Sequence, residues 1–100
     1  MGWMRGLPTE VRLSAPDDLL SHEWPDGIVH VFHPTTGETH LLNAFPAAVV
    51  DATAGRSRRL PELVEEFADL LDSPQDQVRR WLDRAVLELE ASELVRIETG

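Results

Sequence analysis

An α+β domain is predicted for this 100-residue chain, with three antiparallel strands ahead of three helices and a short strand available to close it. Three observations predict it. Up to Leu42 the apolar residues stand in short runs separated by turn-forming Pro, Asp and Gly. From Asn43 onward they recur at helical spacing. Within that second half, Gly55 and the pair Ser73-Pro74 act as stop and restart, dividing it into three helices.

Each element follows in order. Glu10–Ser14 reads as a short edge strand. Leu19–Trp24 and Gly27–His33 are strands joined by Pro25-Asp26-Gly27. Proline presets φ at the first turn position, and glycine accepts the left-handed third. That connection sets Trp24 opposite Ile28, His22 opposite His30 and Leu20 opposite Phe32. Pro34-Thr35-Thr36-Gly37 makes a second turn into a strand over Glu38–Leu42, and a four-residue loop there pairs His40 with Val31. Asn43 is a suitable N-cap for a helix over Ala44–Ala54, with Gly55 as its stop. Arg56–Arg59 read as a loop. Leu60, Leu63, Val64, Phe67, Leu70 and Leu71 define the second helix, to Asp72. Ser73 as cap and Pro74 at the first helical position open the third. Its stripe is Val78, Trp81, Leu82, Ala85, Val86 and Leu89, ending near Ser92. Leu94–Glu98 alternates like a closing strand, expected beside the edge of the meander opposite its third strand. Three amphipathic helices on one sheet face, with helix-turn-helix spacing between the second and third, make a winged-helix-like α+β domain. It spans 1–100 as one unit, with 1–18 expected to be its loosest part.

Composition narrows the function. The apolar fraction of 42% suffices for one core, and no cysteine is present, which removes disulfides, thiolate metal ligands and thiol nucleophiles. The opening Met1-Gly2-Trp3-Met4-Arg5-Gly6 lacks an apolar h-region, and no stretch approaches membrane-spanning length, so no membrane partner and a cytoplasmic location are expected. The net charge is −9 and the basic residues are all arginine. Nucleic-acid affinity rests largely on cations at phosphates, so this charge argues against such a partner.

Gly37-Glu38-Thr39-His40-Leu41-Leu42-Asn43 followed by an Ala/Val-rich helix resembles the strand-to-helix junction of PqqD-like peptide chaperones. Thr-His-Leu-Leu-Asn is similar in particular to the PqqD-family chaperones of HPr kinase-related (HPr-rel-A) systems. Trp24, Val29-His30-Val31-Phe32 and the ending Leu89-Glu90-Ala91-Ser92-Glu93-Leu94-Val95 fit the same order, so the resemblance runs from about Leu20 to Val95. Two places depart from it. The stretch Ser14–Asp18 is longer than usual, and Ser92-Glu93 stands where the family has Leu-Gly, so a left-handed helix stop would carry a glutamate there.

The resemblance implies a RiPP recognition element. Such a domain holds the leader segment of a precursor peptide as an added strand beside the third strand, against the third helix, and presents it to a modifying or kinase-like enzyme. The matching positions are Thr39, His40, Leu41 and Leu42, with one flank of the third helix. At about 100° per residue, Gln77, Trp81, Arg84 and Glu88 line one border of the helix stripe, and Arg79, Asp83, Val86 and Glu90 the other. The first is favoured because it sets an aromatic beside an arginine.

Other features have plainer readings. His22, His30, His33 and His40 follow no metal-ligand spacing and read as structural or solvent-facing, so neither metal nor cofactor is expected. Trp81 reads first as core, and Arg56, Arg58 and Arg59 as a solvated loop with an acidic docking surface as the minor alternative. Glu62, Glu65, Glu66 and Asp69 form a wet helix face; neighbouring helical carboxylates point apart and make no acid–base pair. With no phosphate loop or nucleophile elbow, an enzyme is not expected. Two further readings stand beside the peptide chaperone. A winged-helix DNA-binding regulator is weakened by a third helix of net −1 between Gln75 and Ser92. An adaptor docking a partner enzyme without holding peptide is the other. A free sheet edge could also pair two copies into a homodimer.

Overall fold

The computed structural model describes residues 11–99. Its elements are β1 (Val11–Ser14), β2 (Leu20–Glu23), β3 (Val29–His33), β4 (Glu38–Leu42), α1 (Ala44–Thr53), β5 (Arg58–Arg59), α2 (Leu60–Leu71), α3 (Gln75–Ala91) and β6 (Arg96–Thr99). The strands form two antiparallel three-stranded sheets, ordered β2-β3-β4 and β5-β1-β6, and the helices pack with them in the α+β arrangement that the sequence pattern implies.

The meander has the expected register. Leu20 faces Phe32, His22 faces His30 and Val31 faces His40. Turn chemistry fixes it. The Gly27 N–H donates to the Trp24 carbonyl (2.9 Å) and the Gly37 N–H to the His33 carbonyl (2.8 Å), with both glycines at positive φ. Strand alternation then sends Val31 and His33 into the core, while Leu20, Phe32 and Leu41 face outward.

The second sheet departs from the sequence reading. Val11–Ser14 is the central strand of that sheet, not an edge, and buries Val11 and Leu13 completely or nearly so. Within 1–18, Val11–Ser14 forms this strand; Glu10 and the residues before it lie outside the described range. Arg58–Arg59 are not loop: they pair with Leu13 and Arg12. The closing strand joins β1, not the meander. A backbone seam ties α1 to this sheet. The Ala15 N–H donates to the Thr53 carbonyl (2.9 Å), and the Gly55 N–H to the Ala15 carbonyl (2.8 Å). Gly55 sits at φ 70, and a Cβ there would lie 2.9 Å from the Asp17 Cβ, so both the backbone angle and the space require glycine.

Core side chains from both sheets and all three helices meet in one cluster around Leu13, Val31, Val49, Leu60, Leu63, Phe67, Leu82 and Leu94. Leu70 and Leu71, read from spacing as part of the stripe of α2, are exposed at its C-terminal end. Ser73 does not cap α3. Its hydroxyl donates to the Leu71 carbonyl (3.1 Å), and Pro74 takes the cap position with its carbonyl accepting from Val78 (3.1 Å).

The end of α3 is a Schellman stop despite the missing glycine. The Leu94 N–H donates to the Leu89 carbonyl (2.9 Å) and the Glu93 N–H to the Glu90 carbonyl (3.0 Å), with Glu93 left-handed at φ 64. Leu89 and Leu94 are both buried at this stop, which offsets the strain of a Cβ at positive φ. Glu93→Gly is expected to raise stability by up to about 1 kcal/mol, read as a higher urea midpoint with an unchanged slope. A lower midpoint would show that the Glu93 side chain contributes more than its backbone strain costs.

Candidate functional site

Because β6 pairs with β1, no described strand covers the outer edge of β4. Register identifies which backbone groups that edge offers. The Trp24 N–H donates to the Ile28 carbonyl (3.0 Å), so by alternation His30 and Phe32 direct their backbone groups at β2. Val29, Val31 and His33 then direct theirs at Leu42, His40 and Glu38 of β4. The N–H and C=O of Thr39 and Leu41 are left pointing to the open edge. No described strand covers the edge of β2 either, but the side chains of β2 are all exposed.

Beside the C-terminal end of β4 lies an apolar groove of about 580 Å³, lined by Asn43, Phe45, Pro46, Leu71, Trp81, Arg84, Ala85 and Glu88. Its floor is aromatic. The Phe45 ring packs against Phe67 (5.6 Å between centroids) and edge-on to Trp81 (6.2 Å), leaving Trp81 40% exposed as a wall instead of a core residue. Arg84 and Glu88 stand on the rim, exposed, and form no ion pair with each other or with any described residue. Asn43 opens α1 without a side-chain cap bond, so its amide is free to face the groove.

The helix border carrying Trp81, Arg84 and Glu88 faces Asn43, Phe45 and Pro46 at the start of α1, directly after β4. Gln77 is half-buried one turn earlier and does not line the groove. On the other border Arg79 donates to Asp83 (2.9 Å), and Glu90 lines a separate cleft between the two sheets. The strand residues divide by face. Leu41 is 65% exposed on the outer face, Leu42 packs against the core, and neither touches the groove. The expected wall between Leu41 or Leu42 and Trp81 is instead supplied by Phe45 and Pro46, because the chain turns into α1 directly after β4. Sequence reasoning missed both, although Phe45-Pro46 at a helix start beside an open strand was the available signal.

The histidines do not converge. His22 and His30 flank Trp24 on the outer face (4.8 and 5.4 Å between centroids), and His33 is buried with Nδ1 unpartnered. His40 Nε2 lies 3.4 Å from Glu38 Oε1 without hydrogen-bond geometry. Among the described residues no group of three or more histidine or carboxylate side chains could hold a metal ion, and no helix is long and apolar enough to cross a membrane. A wider depression of about 950 Å³, lined by Glu62, Glu65, Glu66 and Asp69, is the open acidic flank of α2 and has no apolar anchor beside a strand edge. Comparison of the chain with protein-family models, curated proteins and solved structures finds no match.

Proposed function

We propose that this chain is a non-catalytic, cytoplasmic peptide chaperone of the PqqD-like kind. It takes a precursor or leader peptide as a strand on the outer edge of β4 and presents it to a modifying or kinase-like enzyme. The observation that carries the reading is the juxtaposition of an unpaired strand edge with an aromatic groove at its end. Main-chain hydrogen bonds at Thr39 and Leu41 would supply affinity, and the groove would select one bulky apolar side chain of the peptide. Thr39, His40, Leu41 and Leu42 form the edge, and Trp81 with Phe45 anchors the guest. Arg84 and Glu88 set charge preference at the rim, and Gln77 continues the same border.

Side-chain exposure ranks the contributions. Trp81→Ala is expected to weaken peptide binding by about 2 kcal/mol or more, since it removes the aromatic wall. Arg84→Ala is expected to cost less than about 1 kcal/mol, because an exposed rim charge is screened. Titration calorimetry with a peptide selected from a random library for binding to the parent chain gives both values, and the reverse order would move the anchor from ring to charge.

The regulator reading meets a specific obstacle. Arg79 is held by Asp83 and Arg80 stands 3.8 Å from Asp76, which leaves Arg84 as the one cation of α3 outside an ion pair among the described residues. Duplex DNA is expected to produce no mobility shift at physiological salt. A sub-micromolar shift that weakens steeply with added salt would favour the regulator.

A further inference from the structure

The arginines of this acidic protein are sorted by position. Arg58 pairs with Glu66 (2.6 Å), Arg79 with Asp83 (2.9 Å) and Arg80 with Asp76 (3.8 Å). Arg12, Arg56, Arg59, Arg84 and Arg96 have no such partner among the described residues, and all five are exposed. Three of these five share one surface. In the register of the second sheet Arg12 faces Arg59 on one side and Glu98 on the other, and Arg96 faces Ser14 two residues along. Directly paired residues project to the same side, so Arg12 and Arg59 stand together on the outer face of β5-β1-β6, with Arg96 on that face at the border with the cleft that Glu90 and Glu93 also line. Val11 and Leu13 fill its inner face. Arg56 lies in the loop that enters β5.

The Arg12–Arg59 pairing is unfavourable for folding alone. Like charges directly opposite in an antiparallel pair destabilise it, and a chain with 18 carboxylates has ample means to alternate signs there. Glu98 is the only carboxylate on those strands and closes no ion pair with either neighbour among the described residues.

We infer that the outer face of β5-β1-β6 is a docking surface for an acidic polypeptide segment, rich in Asp and Glu, of a partner protein. Charge complementarity selects this occupant. Guanidinium forks match carboxylates two bonds at a time, and three of them across adjacent strands suit a short run of acidic side chains. A nucleic-acid backbone fits less well, because it extends beyond the patch over a molecule of net charge −9. The surface is separate from the edge of β4, so the inference does not rest on the peptide-chaperone reading.

The test uses the full chain, with hexaglutamate as probe and an oligothymidylate of equal charge as comparison, followed by amide shifts at low salt. The expected result is saturable shifts on Val11–Ser14, Arg58–Arg59 and Arg96–Thr99, with Thr39–Leu42 unmoved. The Arg12→Gln/Arg59→Gln variant should bind at least fivefold more weakly and melt no lower than the parent. Arg59→Glu should melt higher, since it places opposite charges across the pair, yet lose the probe. These melting curves separate loss of docking from loss of fold. Absence of shifts up to millimolar hexaglutamate, shifts centred on Arg79, Arg80 or Arg84, or oligothymidylate binding the same strands as tightly as hexaglutamate would each overturn the inference.

Discussion

Leu13→Ala is expected to lower the free energy of unfolding by roughly 3–4 kcal/mol, as alanine at a closed leucine site leaves a cavity that its neighbours fill only in part. Leu13 is 0% exposed, belongs to the central strand of the second sheet, and meets the core that all three helices share. A domain of this size has about 5–15 kcal/mol in total, so the variant loses a large share of it. Leu70→Ala is the matched control. Leu70 is 69% exposed, and its replacement should fall within about 0.5 kcal/mol of the parent. Urea unfolding followed by circular dichroism measures both. The comparison discriminates because apolar spacing alone puts Leu70 in the core and treats the strand of Leu13 as marginal.

Leu41→Pro is expected to abolish peptide binding, a loss of a hundredfold or more, while the chain stays folded. The reason is directional. The Leu41 N–H points to the open edge of β4, so proline deletes a donor that a guest strand needs without removing a bond to β3. Proline at His40 would remove a ladder bond inside the meander and unfold it, which makes Leu41 the informative position. The side chain of Leu41 lies outside the groove, so Leu41→Ala should bind almost as the parent does. Calorimetry with the same selected peptide, paired with melting curves, reads both halves of this expectation. Weak binding together with a collapsed melting transition would mean that the N–H belongs to the ladder.

The meander was legible because its information is local. Pro25-Asp26-Gly27 and Pro34–Gly37 fix loop lengths, loop length fixes register, and register assigns every side chain from Leu20 to Leu42 to a face. The second sheet was not legible. β5 has two residues, both arginine, with no apolar alternation, and its partner lies more than forty positions away. Only a long-range pairing makes it a strand. The closing strand was foreseen but its partner was not, since Leu94–Glu98 alternates equally well against either sheet.

Helix three shows the same limit at the site. Its borders could be drawn from the helical period, and Trp81, Arg84 and Glu88 do share one groove. The wall opposite them, Phe45 and Pro46, depends on how α1 leaves β4, which the helical period does not encode. The left-handed Glu93 is the opposite case. Propensity argued against a stop there, and burial of Leu89 and Leu94 prevailed.

Amide mapping of the full chain with a peptide selected for binding to it tests the central claim most directly, combined with hydrogen exchange of the bound state. The account predicts that Thr39 and Leu41 shift most on binding and become protected from exchange. Protection of Glu38 and His40, already bonded within the sheet, should change little, and the Trp81 indole should move with the edge. Shifts confined to α2 and Arg56–Arg59, with Thr39 and Leu41 exchanging as fast as in the free chain, would contradict it and leave the adaptor reading in its place.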